Sequence, residues 1–271
     1  MDALKSVSKA WLAMAVMCVG LAGCGQQGGD GSKSAGVATP APKGHEYVVG
    51  SDASYPPFEF AKADGQLAGF DVELLTAIAA REGFRVRFVN MSWESIFSAL
   101  QQEDVDILAS AVSITEERRQ SMAFSEPYFA SRQLVAVRRQ DGDIVGLDEL
   151  RGRKLAAQPH STGDEALQRL VPEHDIRRID SIPTALSLLA KGEVAGVVAD
   201  GGALNYYVRV KGDGKLRVLA DKQLPAIEYY GFAVRQDQPE LLAKINAGLA
   251  ALKADGSYDT IYRKYFGKDG A

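Results

Sequence analysis

Twice along this chain the same order of patterns returns, strand then helix then strand, and that alternation restricts the fold more than any other feature. In the first run Tyr47–Gly50 reads as a short buried strand. From Asp71 to Arg81 the apolar residues Val72, Leu75, Ile78 and Ala79 keep helical spacing, and Gly83 supplies the stop. Phe84–Val89 alternates as a strand should, Glu94–Gln102 carries Ile96, Phe97 and Leu100 on a helix, and Val105–Ala109 is a third strand. The second run gives strand Lys154–Ala157, helix Gly163–Leu170 and strand Ile176–Ile179. Ser181 then caps a helix ending at Lys191 before Gly192, and strand Val194–Ala199, helix Gly201–Val210 and strand Leu216–Leu219 follow. A β-α-β-α-β order predicts parallel strands wrapped by helices, so the chain reads as α/β with two such sheets. The final third predicts strand Tyr230–Val234, helix Glu240–Lys253, a turn at Asp255-Gly256 and an amphipathic helix Tyr258–Phe266. A length of 271 residues holds two such units, and no short-period repeat is present.

Parallel sheets say where chemistry sits, because ligands bind beyond the carboxyl ends of the strands. That rule selects Asp52, Tyr55, Trp93, the run Ser110–Arg118 (with Ser110, Ala111, Ser113 and Arg118), Gln158, Ser161, Thr162 and Asp200. A guanidinium fork matches a carboxylate, a desolvated aspartate needs a cation, and aromatic faces suit aliphatic stems or cations. Together they fit a zwitterion with a side chain. Ser113 and Glu116 have capping-box spacing, with Thr115 a second candidate cap, so a helix is expected to open there and add free N–H groups beside Arg118. An ordinary capped surface helix with solvated arginines fits that stretch equally. Quieter roles stand beside the others: turn packing for Tyr55, core for Trp93, an N-cap for Asp200, its own turn for Asp52, and a solvated loop charge for Glu228.

The N-terminus carries Lys5 and Lys9 before the apolar run Trp11–Gly23, which is short for a bilayer span and reads as a secretory signal over 1–23. Leu21-Ala22-Gly23-Cys24 resembles a bacterial lipobox, which implies a lipid (palmitate among its chains) on Cys24; a plain signal peptide cut near the same place is the alternative. Cys18 lies in the removed segment, so no thiol is left for a disulfide or metal, and His45, His160 and His174 lack metal-ligand spacing. No cofactor is expected. Residues 24–45 are Gly/Ser-rich and then Pro-punctuated, a flexible tether reaching on the order of 25 Å. A net charge of −4 and the lack of basic-aromatic interleaving give no reason to expect nucleic acid.

Four motifs occur together: Gly50-Ser-Asp-Ala-Ser-Tyr-Pro-Pro-Phe-Glu-Phe60, Gly69-Phe-Asp-Val-Glu-Leu74, Ser113-Ile-Thr-Glu-Glu-Arg118 and Phe124-Ser-Glu-Pro-Tyr128. With Asp255–Gly267 at the C-terminus, they resemble the polar amino acid-binding proteins of bacterial ABC importers, the family 3 extracytoplasmic solute-binding proteins. The resemblance implies a two-lobed, periplasmic-binding-protein-like α/β fold, each lobe a mostly parallel sheet flanked by helices. Lobe 1 would be 46–131 plus 230–271 and lobe 2 132–229, with hinge crossings near Ala130–Arg132 and Ala226–Phe232. It implies an exported, monomeric, lipid-anchored binder in the periplasm or cell envelope. That binder would close on a free L-amino acid and deliver it to an ABC permease/ATPase complex in the inner membrane.

By that resemblance Arg118 clamps the ligand α-carboxylate, helped by Ser113, the backbone at 111 and the amides and hydroxyls of Ser161-Thr162. Asp200 receives the α-ammonium, Tyr55 and Trp93 sandwich the side chain, and Asp52 meets its distal end. Two positions depart from the family pattern: Ala111, where glycine or serine is common, and His160, where glycine is usual. An acidic end on an aromatic channel favours a basic amino acid (arginine, then lysine, ornithine or histidine), with glutamine the alternative. Rivals of another class are a cyclohexadienyl dehydratase-like enzyme and a tethered ligand sensor. The pair Asp52 and Asp200 opposes the dicarboxylate substrate of such an enzyme, so no catalytic residue is expected.

Overall fold

A computed structural model describes residues 44–210 and 214–267. The expected signal segment, Cys24 and almost all of the tether lie outside the described residues. The first sheet has five strands in the order Arg85–Asn90, Glu46–Ser51, Ile107–Leu108, Ala233–Val234, Ala123–Phe124. The first three are parallel, and the last two run antiparallel to their neighbours. The second sheet repeats this plan with Ile176–Arg178, Leu155–Ala157, Gly196–Asp200, Gln133–Arg138 and Leu216–Leu219. Again the first three are parallel and the rest antiparallel.

Between the sheets, Phe129–Ser131 leads the chain out and Glu228–Tyr230 brings it back. The two pair antiparallel, Tyr230 opposite Phe129 and Glu228 opposite Ser131. An aromatic cluster fastens these crossings. Phe129 stacks on Tyr230 at 5.4 Å, meets Phe58 edge-on at 4.9 Å, and lies 5.0 Å from Phe266 of the helix Ser257–Phe266. Burying each such ring contributes about 1.5–3 kcal/mol, so the terminal helix is pinned where the chain changes sheets.

Most helices form where the spacing places them, at Phe70–Glu82, Trp93–Gln101, Thr162–Leu170, Ile182–Lys191, Gly201–Val210 and Pro239–Ala254. Gly83 and Gly192 close two of them with left-handed backbone at φ 74° and 80°.

Three expectations change. The helix expected from Ser113 is a single turn, Glu116–Arg119, because the chain must re-enter the first sheet at Ala123. Its cap is Thr115, whose Oγ1 accepts from the Arg118 N–H at 3.2 Å, while the Ser113 hydroxyl goes elsewhere. So short a helix supplies no anion site of its own. The strand expected over Val105–Ala109 narrows to Ile107–Leu108. The strand expected over Tyr230–Val234 breaks in two, because Gly231 donates to the Val112 carbonyl and the Phe232 N–H to Ser125 Oγ at 3.0 Å. A Cβ at Gly231 would lie 3.0 Å from the Ile114 side chain, so glycine lets the break pack closely there.

Candidate functional site

The carboxyl ends of both parallel runs open on one cleft. Asp52 follows the strand Glu46–Ser51, Ser110 and Ala111 follow Ile107–Leu108, Gln158 follows Leu155–Ala157, and Asp200 ends Gly196–Asp200. All four groups line the cleft, together with Tyr55, Trp93, Ser113, Arg118, Ser161 and Thr162. The structure therefore brings the named candidates, Arg118 among them, into one place, while Val112 and Ile114–Glu117 of the selected run do not line the cleft. The strand-end rule misses Glu59, Ile182 and Ala199, which also line the cleft. Glu59 lies between two phenylalanines in the hairpin strand Glu59–Ala61, and nothing local in the sequence marks it as a fully buried acid.

Arg118 joins the two sides. Its Nη1 donates to the Ser113 carbonyl at 2.9 Å and its Nη2 to the His160 carbonyl at 3.2 Å. The guanidinium carbon lies 5.3 Å from the Trp93 ring centroid and 5.1 Å from that of Phe97, an aromatic seat that fixes its plane. Burial lowers its pKa, opposed by the neighbouring carboxylates of Glu165, Asp200 and Glu228. Trp93 serves two readings at once: it lines the cleft, and it packs edge-on against Phe97 in the core beneath.

Asp200 accepts from the Tyr55 hydroxyl at 2.5 Å and from Gln133 Nε2 at 3.1 Å. Burial, then the nearby Glu228 carboxylate, push its pKa up to about 6. Asp52 accepts from its own turn at the Ser54 N–H, 3.2 Å, and from Gln158 Nε2 across the cleft at 3.1 Å. Burial raises its pKa too. Behind them Glu59 and Asp71 are fully buried, and burial with mutual repulsion raises Glu59 well above the carboxylate range. Desolvation pushes Asp71 up to about 7, although it accepts from the Ala111 N–H at 2.8 Å and the Tyr128 hydroxyl at 2.5 Å.

Several hydroxyls and amides are committed internally. Ser110 Oγ accepts from the Asp52 N–H and donates to Glu59, and Ser161 Oγ donates to the Gln158 carbonyl while capping Thr162–Leu170. The Ala111 N–H belongs to Asp71, so the 111 backbone has no donor for a ligand carboxylate. The His160 side chain is exposed, and only its carbonyl meets the site. Among the described residues the result is a cleft with one cation, Arg118, facing the carboxylates Asp52 and Asp200, with the carboxyl of Glu59, raised well above its ordinary range by burial, beside them. Chemically it can hold a carboxylate at one end and positive charge at two others. Among the described residues no cluster of side chains has the makings of a metal site.

Residues 47–268 match the sequence profile of the bacterial extracellular solute-binding proteins, family 3. A probable histidine-binding protein of Neisseria gonorrhoeae is 34% identical over 268 residues, covering 97% of each chain. A putative ABC transporter arginine-binding protein 2 of Escherichia coli K12 is 32% identical over 238 residues, covering 86% of this chain and 96% of that one. In three dimensions the arginine-, lysine-, histidine-binding protein ArtJ of Geobacillus stearothermophilus superposes with a TM-score of 0.78 at 36% identity. That alignment covers 82% of this chain and 96% of the other.

Proposed function

Since the chain belongs to the bacterial extracellular solute-binding proteins, family 3, we propose that it is the binding component of an ABC amino acid importer and takes a basic amino acid into this cleft. The observation that carries the reading is that Arg118, Asp200 and Asp52 line one cleft. Arg118 takes the α-carboxylate, Asp200 the α-ammonium, and Asp52 the positive end of the side chain. An excess of buried carboxylates over the single guanidinium favours a ligand with net positive charge, and a neutral amide leaves that excess uncompensated. The dicarboxylate substrate of a dehydratase would bring a second negative charge to Asp52, which opposes the enzyme reading.

The crossings Phe129–Ser131 and Glu228–Tyr230 are the hinges of this scheme, with lobe 1 comprising 46–131 plus 230–271 and lobe 2 132–229. A lipid on Cys24 and the tether would hold the domain at the membrane for delivery to the permease. Calorimetry on the mature domain with arginine, lysine, histidine, glutamine and glutamate tests the ligand. Binding of a basic amino acid is expected, and tight glutamine binding without any basic ligand overturns the preference. Arg118→Ala is expected to cost about 2–5 kcal/mol of binding by leaving a buried carboxylate unpaired. An unchanged dissociation constant removes Arg118 from the site.

A further inference from the structure

We propose that Glu228 is a positioning residue of the ammonium pocket, acting through the hydroxyls of Ser113 and Thr162; this rests on an amino acid occupying the cleft as described above. Along Glu228–Tyr230 the side chains alternate: Tyr229 is exposed, whereas Tyr230 is buried and Glu228 is partly buried. Its Oε2 accepts from Ser113 Oγ at 3.0 Å and from Thr162 Oγ1 at 2.8 Å; Gln133 Nε2, 3.2 Å away, has two hydrogens to divide among Glu228, Thr162 Oγ1 and Asp200 Oδ1.

A hydroxyl owns a single proton. Ser113 and Thr162 have both given theirs to Glu228, so each offers only lone pairs to anything else in the cleft. Thr162 Oγ1 already accepts from Gln133 Nε2 at 3.0 Å. This differs from the role the resemblance implies for their hydroxyls: they are acceptors suited to an ammonium, and not donors for a carboxylate. The carboxylate is left to Arg118 and to backbone N–H groups.

The same Gln133 amide reaches Asp200 Oδ1 at 3.1 Å, so Glu228 and Asp200 flank one point from two directions. A ligand cation placed there relieves the repulsion between the two carboxylates. Position along the chain adds a further consequence. Ser113 stands beside the first sheet, bridged to Tyr230, while Thr162 opens a helix packed on the second sheet. One oxygen accepting from both requires the two sides to be together, so the acceptors of the ammonium are aligned only in the closed arrangement.

The test is Glu228→Gln, which keeps size and an accepting oxygen but removes the charge. Calorimetry compares L-arginine with 5-guanidinopentanoate, the same molecule without its α-ammonium; if the ligand screen selects histidine, L-histidine and its deamino counterpart take their place. The preference for the amino acid over the deamino compound is expected to fall about tenfold, about 1.4 kcal/mol of discrimination. Thr162→Val, with Glu228 intact, is expected to lower the same preference, and the double variant to lose less than the two losses combined. Equal weakening of both ligands, or an unchanged preference, overturns the proposal and leaves Glu228 a structural brace. If the wild-type protein binds no amino acid at all, the proposed function falls, which is distinguishable from the failure of Glu228 alone.

Discussion

Ala111 and His160 share a backbone feature that their side chains do not advertise: both sit at positive φ, 46° and 57°, just beyond two of the strand ends that face the cleft. These are the same two positions at which the sequence departs from the family's usual glycine or serine. Left-handed backbone costs a residue with a Cβ roughly 1–2 kcal/mol, and His160 gets little in return. Its side chain is exposed, while its N–H and carbonyl make the bonds to Asp164 and Arg118 that hold the turn. His160→Gly keeps both bonds and removes the strain. It is expected to raise stability by about 0.5–1 kcal/mol, offset in part by the freer unfolded chain. Chemical denaturation reads this directly, and a loss of stability would mean that the imidazole holds the turn. At Ala111 the same strain persists with more reason, because its N–H is fixed by the buried Asp71.

Asp71 in turn depends on how one helix begins. Phe70–Glu82 is entered through Gly69 at φ 135°, with Phe70 N–H donating to the Pro57 carbonyl at 2.9 Å and Asp71 N–H to that of Phe58 at 3.0 Å. A Cβ at Gly69 would lie 2.0 Å from the Phe58 oxygen, where no side chain can give way. Gly69→Ala is therefore expected to cost at least about 3 kcal/mol and to weaken ligand binding through Asp71 and Ala111. Gly65→Ala, at φ 82° with nothing within 4 Å, is the control and should cost only about 1 kcal/mol. Equal losses in the two would show that backbone angle alone, and not the crowding at Phe58, sets the cost. The elements that periodicity located well are those whose signals are local. Helix Gly201–Val210 and strand Leu216–Leu219 agree to the residue, and Ser181 and Gly192 bound their helix as caps. Those it misjudged, around Ser113 and Gly231, are decided by partners more than a hundred residues away, such as Glu228 for Ser113. The cleft was legible because strand ends are readable from sequence. The direction of each hydroxyl proton in it was not, since that depends on Glu228, Gln133 and Asp71 arriving from other elements.

For the whole molecule the buried carboxylates set an unusual response to acid. Asp71 at about 7 and Asp200 at about 6 both lie above the ordinary 3.8, and Glu59 is raised well above its own range. A carboxyl whose pKa is higher folded than unfolded binds more protons in the native state, so stability falls as pH rises through that interval. Without ligand, the thermal midpoint is expected to climb by several degrees between pH 7.5 and pH 5, at about 2–4 °C per kcal/mol for a domain of this size. Only below the ordinary carboxylate pKa, about 4, does the sign reverse. Asp255, held at about 2 by the Ser257 turn and Arg81, and Glu173, held low by Arg178, then begin to lose their bonds. Ligand binding moves oppositely over the same window. An ammonium at Asp200 needs the ionised carboxylate, so affinity should weaken by up to tenfold per unit once pH drops below about 6. Midpoints measured with and without the bound amino acid should thus converge as pH is lowered from 7.5 to 5, the free protein rising toward the complex. Parallel curves would mean that Asp200 stays ionised throughout or stands apart from the ligand, and the charge argument for a cationic guest would lose its strongest support.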